Sequence, residues 1–364
     1  MPAEAHGRIG FARGLADVGT SRQARWLEPV AAYVGAVVGA GFASGREVLH
    51  FFGRYGDYGL AGALLAGLVF ALCGAAALGE AAALRPRHYG ELLGALCGRS
   101  LGLALDRVAV LGLFLGEVAV VAGGGALAAH ALGWAARLGT ILFGGALAIA
   151  ALPGRTGLRL GNFILVPLIV AAILVAAVVR LPFLMEHSLV ASGRDGWAGA
   201  AFLYVSYNLL LGLSSLCVAL PEGISRRSAS WAGYVGGAAL GVLCLGTTLA
   251  VLAHPEGSVA PLPLGVALEG RWWKFALYPT LLGAALWTTG SATAAALGQR
   301  LAPTRPGPMA AGICVAAVPL GLAGLVPIVA IAYPVLGYLG IPLAVGALGS
   351  LARQWWTGRG HSQG

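Results

Sequence analysis

A run of small residues at positions 39–45 carries the first candidate chemistry. The run reads GAGFASG and lies within an apolar stretch, 31–53, that is long enough to cross a bilayer. Glycine costs about 1 kcal/mol relative to alanine inside a helix, so a helix should open here. An open backbone at membrane depth lines a cavity, where its N–H and C=O groups can bind a ligand. We therefore predict half of a substrate site, formed by Gly39, Ala40, Gly41, Phe42, Ala43, Ser44 and Gly45.

The ligand expected at such a break is a small zwitterion. If the second half-helix begins near Ala43, its free N–H groups and its dipole favour an anion such as a carboxylate. Carbonyls at the end of the first half, and those near Tyr207 and Asn208, would suit an ammonium group. An α-amino acid carries both charges at that separation.

Close helix packing is the alternative explanation of the glycines. Gly35 with Gly39, and Gly41 with Gly45, form small-xxx-small pairs that let two helices approach closely. On the glycines alone the two interpretations have equal weight. The charged pair Arg46-Glu47, directly after the run, favours the substrate site over packing alone, because charge within an apolar span is costly.

The segment at 197–223 is predicted to form the other half of the site. Its middle is polar, so we expect this helix to be broken as well, and both segments end near an acidic residue. The predicted substrate contacts here are Tyr204, Ser206, Tyr207 and Asn208. The predicted gating residues are Arg46, Glu47 and Glu222.

Two further sets of residues could couple transport to an ion. Thr288 and Thr289 place hydroxyl groups mid-segment, as oxygen ligands suited to Na⁺, although such hydroxyls more often bond to their own helix. Glu117 lies in the middle of another segment, where a carboxylate is costly unless it is paired, hydrated or protonated. A proton-coupling role and a structural pair with an arginine have equal weight for it. No cofactor, and no metal other than Na⁺, is predicted.

The composition indicates a polytopic membrane protein. Of the 364 residues, 58% are hydrophobic and 10% are charged, whereas soluble domains carry about 25% charged residues. The net charge of +9 comes almost wholly from arginine. We expect these arginines in cytoplasmic loops and not in a surface that binds nucleic acid. The five cysteines are scattered without a CxxC pair, which is typical of buried apolar residues and not of a disulfide or metal site.

Ten apolar segments predict an all-α membrane protein with about ten transmembrane helices. They lie at about 29–52, 59–83, 103–130, 133–152, 161–181, 197–221, 230–253, 273–298, 309–325 and 327–350. Ten helices divide into five plus five, and an odd number per half gives inverted repeats, with helices one and six broken. The predicted units are a cytoplasmic tail at 1–27, repeats at 28–182 and 183–352, and a second cytoplasmic tail at 353–364.

The distribution of arginine predicts the orientation. With the N-terminus inside, sixteen basic residues fall on the cytoplasmic side and six outside. Both termini are therefore expected in the cytoplasm of a bacterial-type cell, with the protein in the inner or plasma membrane. Residues 1–27 lack the short apolar core of a signal peptide.

The stretch GAVVGAGFASGREVLHFFGRYG resembles the signature of the YkvI-type membrane proteins. That family is grouped with the amino acid permeases of the amino acid–polyamine–organocation superfamily, which implies a leucine-transporter-like fold. By that resemblance, Gly39-Ala40-Gly41 would hold a substrate carboxylate. The carbonyls near Gly35 and Val38, with Thr288 and Thr289, would hold a sodium ion. This chain departs from the family in carrying Arg46-Glu47 where Gln-Glu is expected, and Ala40 lacks the serine hydroxyl of the superfamily loop.

The leading hypothesis is a secondary active transporter, an ion-coupled symporter of amino acids or similar zwitterions that works by alternating access. Its partners would be a small-molecule substrate and the lipid bilayer. The alternative is a non-transporting sensor on the same fold. An enzyme is disfavoured: Ser44 resembles the serine of an intramembrane protease, but residue 42 is phenylalanine where glycine is needed, and no mid-span histidine could act as a base.

Overall fold

The computed structural model describes residues 26–86, 88–153, 168, 171, 175, 195–218, 220–253, 259–267 and 272–360. Regular structure in these residues is entirely helical, with one short 3₁₀ turn at Gly53–Tyr55. The helices are α1 (Leu27–Val37), α2 (Ala40–Ser44), α3 (Arg46–Phe51), α4 (Asp57–Leu84), α5 (Tyr89–Cys97), α6 (Arg99–Leu132), α7 (Ala136–Ala151), α8 (Trp197–Val218), α9 (Arg226–Leu252), α10 (Pro263–Ala267), α11 (Trp272–Leu301), α12 (Pro306–Gly321) and α13 (Leu325–Gly360).

Nine of the ten predicted segments coincide with helices in the described part of the chain. The fifth segment, at 161–181, lies outside the described residues apart from three isolated positions. The close boundary between the last two segments is confirmed, because Gly324 takes φ +88°, a conformation that suits glycine and ends the turn. The last helix continues to Gly360, beyond the tail boundary predicted at 353. The short helices α5 and α10 were not predicted.

Helix length and surface agree with a protein that crosses a membrane. In the part of the chain that the structure describes, four helices are long and apolar enough to span one: Asp57–Leu84, Arg99–Leu132, Arg226–Leu252 and Leu325–Gln354. Large apolar side chains such as Leu64, Ile149 and Ile331 lie on the outside of the bundle. Such a surface is stable against lipid and would be unfavourable against water.

The first predicted span is interrupted twice. The Gly39 amide donates to the Val37 carbonyl at 2.8 Å, two residues back, so α1 ends and the Gly35 carbonyl loses its usual helical donor. A second interruption follows at Gly45, whose φ of +77° is left-handed. The predicted break is therefore confirmed, but the half-helix after it begins at Ala40 and not near Ala43. It is only five residues long, because Gly45 ends it.

The sixth predicted span differs from the expectation of a broken helix. Helix α8 runs without interruption from Trp197 to Val218. Its polar side chains bond within the helix: Ser206 Oγ donates to the Phe202 carbonyl at 2.8 Å, and Asn208 Nδ2 donates to the Tyr204 carbonyl at 2.9 Å. These bonds four residues back satisfy the side chains without opening the backbone. The chain turns only afterwards, at Gly223, with φ +77°.

Helices α4 and α9 pack closely along a seam of glycine. A Cβ atom added to Gly67 would lie 2.5 Å from Gly241 Cα, and one added to Gly237 or Gly233 would overlap the backbone of α4. Backbone contact of this kind is the usual result of small residues at a membrane helix interface. The two helices therefore form one tightly packed pair.

Ion pairs join helix ends at one end of the bundle. Arg226, at the start of α9, pairs with Glu80, near the end of α4, at 2.5 Å. Arg300, near the end of α11, pairs with Asp106, near the start of α6. All four residues belong to the side predicted to be cytoplasmic, and their meeting agrees with helices that alternate in direction.

Candidate functional site

The centre of the candidate site is a buried carboxyl group at the double break. Glu47 lies on α3 with 5% of its surface exposed, and its side chain folds back over Gly41. A Cβ atom at Gly41 would lie 2.7 Å from Glu47 Cγ and would overlap the carboxyl group, so only glycine leaves room for it. The Tyr207 hydroxyl, on α8, donates to Glu47 Oε2 at 2.5 Å. The predicted first and sixth spans therefore meet at this carboxyl group.

Aromatic rings surround the Glu47–Tyr207 contact. The Tyr207 ring stacks between Phe51 and Tyr333, with centroids 5.5 and 5.0 Å away. Tyr204 contacts Tyr207 edge-on at 5.5 Å and also packs against Phe51 at 5.4 Å. The carboxyl group is thus set among aromatic side chains from α3, α8 and α13.

Helix α11 lies on the other side of the first interruption. A Cβ atom at Gly39 would lie 3.6 Å from Thr289 Oγ1, so this hydroxyl is close to the break. Thr288 Oγ1 donates to the carbonyls of Ala284 and Ala285, within its own helix. Of the two threonines, Thr289 is the one whose hydroxyl the structure brings to the Gly39 backbone.

The far end of the double break is covered by the segment that contains α10. Arg46 Nη1 donates to the Ala260 carbonyl at 3.2 Å. A Cβ atom at Gly45 would lie 3.0 Å from the backbone nitrogen of Leu264 in α10. The Tyr278 hydroxyl, on α11, donates to the Ala43 carbonyl at 3.3 Å. These contacts hold α2 and α3 against α11 and against the segment that contains α10.

Glu117 forms a second buried acidic site, on α6. It has no exposed surface, and its Oε1 accepts a weak hydrogen bond from Cys314 Sγ at 3.4 Å. Within the described residues its Oε2 has no hydrogen-bond partner. Gly290 of α11 lies beside it, one residue from Thr289, which contacts the first break. Helix α11 thus lies beside both Glu117 and the first interruption.

The other predicted site residues contact their own segment or other parts of the bundle rather than Glu47. The Ser206 backbone packs against Gly340 of α13, and Asn208 bonds within α8. Glu222 lies exposed in the turn after α8. Ser44 Oγ donates to the Gly41 carbonyl at 2.7 Å and accepts from the Arg46 amide at 3.1 Å, which stabilises the turn at Gly45.

Sequence reasoning missed three aromatic residues of the site. Phe51, Tyr278 and Tyr333 all contact the broken span or Tyr207. Two of them, Tyr278 and Tyr333, directly precede a proline inside a helix, Pro279 and Pro334. A tyrosine beside a helix irregularity was the available signal.

Comparison with known proteins assigns the class and the family. No protein-family model matches the chain. YkvI of Bacillus subtilis (strain 168), described as an uncharacterized membrane protein, is 30% identical over 238 residues, which cover 64% of this chain and 68% of YkvI. The crystal structure of MhsT in complex with L-phenylalanine is similar with a TM-score of 0.64 at 14% identity, covering 92% of this chain and 89% of MhsT. A mutant of the Eremococcus coleocola manganese transporter is similar with a TM-score of 0.53 at 12% identity, covering 91% and 77%.

These similarities, together with the helix break, define a multi-pass integral membrane protein with the leucine-transporter-like fold. At such low identity the solved structures show the fold alone. The sequence match is more specific, and the chain belongs to the YkvI family of membrane proteins.

Proposed function

We propose that the protein is a secondary active transporter of small solutes that carry an ammonium group, a class that includes amino acids and similar zwitterions. The observation that carries the proposal is the double break at 38–45, where Gly41 lies against the buried Glu47 and Glu47 contacts α8 through Tyr207. Discontinuous helices of this kind form the central sites of secondary transporters. The fold shared with MhsT, whose structure contains L-phenylalanine, supports the proposal.

Alternating access is the proposed mechanism, and contacts at both ends of the bundle support it. At one end Arg46 and Gly45 hold the segment containing α10 over the break. At the other end the Arg226–Glu80 and Arg300–Asp106 pairs join four helices. In the proposed cycle, contacts at one end loosen while those at the other hold, within two inverted five-helix repeats. The ion-pair end and both termini would face the cytoplasm of a bacterial-type cell.

Coupling to an ion is part of the proposal, and two places are offered for it. The released carbonyl of Gly35, the Val38 backbone and the Thr289 hydroxyl could supply oxygen ligands to Na⁺, with Thr288 next to them. Glu117 could carry a proton instead. Imposing a sodium gradient and a pH gradient in turn distinguishes the two.

The test is binding and uptake by the purified full-length protein in the presence of candidate solutes. A solute that binds the folded state raises its apparent stability by mass action, and the same solute should accumulate in proteoliposomes when an ion gradient is imposed. Gly41→Ala should abolish both, because its Cβ displaces the Glu47 side chain. Gly312→Ala is the matched control, since a Cβ there meets open space. Unchanged uptake by Gly41→Ala would refute the assigned site. Binding of a solute by the unmodified protein without uptake would indicate the alternative function, a non-transporting sensor.

A further inference from the structure

Glu47 places a carboxyl group where a substrate's own carboxylate would otherwise bind. Its carboxyl group covers the Gly41 backbone in the break, and the five-residue α2 offers only a weak helix dipole. A second carboxylate brought to the same backbone would be repelled by Glu47 and would have to displace it from Tyr207. The break is therefore poorly suited to an anionic group.

The same carboxyl group is well suited to a cation. A carboxylate can accept about four hydrogen bonds, whereas Tyr207 is the hydrogen-bond donor that the described residues supply to Glu47. Neither arginine–carboxylate pair of the bundle, Arg226–Glu80 nor Arg300–Asp106, includes Glu47, and within the described residues no basic side chain is paired with it. Because a buried charge is stable only when it is paired, a cationic ligand would complete this site.

The surroundings of Glu47 favour an organic ammonium group over a metal ion. Rings of Phe51, Tyr204, Tyr207 and Tyr333 pack against one another beside the carboxyl group. Aromatic faces attract ammonium ions and are used to recognise them. Among the described residues no group of three or more His, Cys, Asp or Glu side chains could hold a metal.

We propose that the transported solute is a small organic amine that lacks an α-carboxylate, with Glu47 as the counter-ion of its ammonium group. Tyr207 holds the carboxyl group in place, and Phe51 and Tyr333 extend the aromatic surface for the rest of the solute. This inference rests on the proposed transport function and narrows its substrate class.

The first test compares ligands that share one carbon skeleton and differ only in charged groups. One set is phenethylamine, L-phenylalanine and hydrocinnamate, and the other is isoamylamine, L-leucine and isocaproate. Thermal unfolding of the purified full-length protein is followed against the concentration of each compound, and uptake of each is measured in proteoliposomes. The amine should bind at least about tenfold more tightly than its amino acid, and the acid without an amine should not bind.

The second test removes the charge of Glu47. Glu47→Gln keeps the size of the side chain and a partner for Tyr207, so amine binding should fall by about tenfold or more while the amino acid loses nothing. Glu47→Asp keeps the charge and should retain the preference for the amine at reduced affinity. Glu91→Gln, the same change on the exposed surface of α5, should leave the selectivity unchanged.

The outcomes separate this inference from the proposed function. Tighter binding of the amine, lost in Glu47→Gln, supports both. Tighter binding or faster uptake of the amino acid, or amine binding that is unaffected in Glu47→Gln, overturns the amine assignment and leaves transport standing. If no compound of either set binds or accumulates, the amine assignment and the proposed transport of such solutes are both refuted.

Discussion

The surroundings of the Glu117 side chain restrict the states in which its carboxyl group can be stable inside the bundle. Gly290 of α11 and Cys314 of α12 lie beside it, and of these the thiol is the titratable group that faces the carboxyl. A carboxyl group in such surroundings needs a proton or a cation, because a bare charge there would be very costly. The structural alternative, a pair with an arginine, is not seen in the described residues.

Under the proposed proton coupling through Glu117, replacement of this residue by glutamine should remove the response of uptake to a pH gradient. Glutamine is nearly isosteric and cannot exchange a proton, so the fold should persist while a pH gradient no longer accelerates uptake. Initial uptake rates in proteoliposomes, with and without an imposed pH gradient, measure this effect. Glu91→Gln serves as control, because that residue lies exposed on α5. Retention of the full response to pH by Glu117→Gln would exclude Glu117 as the coupling site.

At the scale of elements, the short helices α2 and α3 depend on the glycine between them. Gly45 has φ +77°, and Gly223, in the turn after α8, has the same value. The two positions differ in their neighbours, since a Cβ at Gly45 would press on Leu264 whereas one at Gly223 would meet open space.

Alanine at these two glycines should separate backbone strain from packing against α10. Both substitutions should lower the free energy of unfolding by about 1–2 kcal/mol, the cost of a left-handed conformation for an L-residue. Gly45→Ala should cost more and should also slow uptake, because it displaces Leu264. Unfolding curves of the purified variants give the comparison, and equal losses would show that contact with α10 contributes nothing.

The sequence predicted where the first span opens, because three glycines in seven residues weaken any helix. It did not predict that α8 stays whole, because that depends on Ser206 and Asn208 turning their side chains to carbonyls four residues back. Nor did it predict that Glu47 would lie over Gly41, since the charge was assigned to a gate. That position depends on Tyr207, which is distant in sequence, and only the folded bundle brings the two together.

At the scale of the whole molecule, the Arg300–Asp106 pair links α6 to α11 at the end opposite α10. Asp106 is buried, and within the described residues its Oδ1 has no hydrogen-bond partner. The pair with Arg300 is therefore the contact that stabilises this carboxylate. The Arg226–Glu80 pair is more exposed on the side of the acid and joins α4 to α9, which glycine packing already holds together.

A double-mutant cycle should show that the Arg300–Asp106 contact is energetically coupled. Asp106→Asn and Arg300→Gln should each destabilise the protein, and the double variant should be more stable than the sum of the single losses predicts, by about 0.5 kcal/mol or more. The cycle of Glu80→Gln with Arg226→Gln should give a smaller coupling. Strictly additive losses for the first pair would show that it does not hold this end of the bundle together.

The glycine seam between α4 and α9 restricts how the chain can vary over evolutionary time. Where Gly67 faces Gly241, and where Gly233 and Gly237 face the backbone of α4, even one methyl group would separate the helices. A saturation mutagenesis scan should therefore find a line of intolerant positions far from Glu47, as strict as those at the break itself. Invariant glycines in this family would then mark two different constraints, and only those at the break would report on the transported solute.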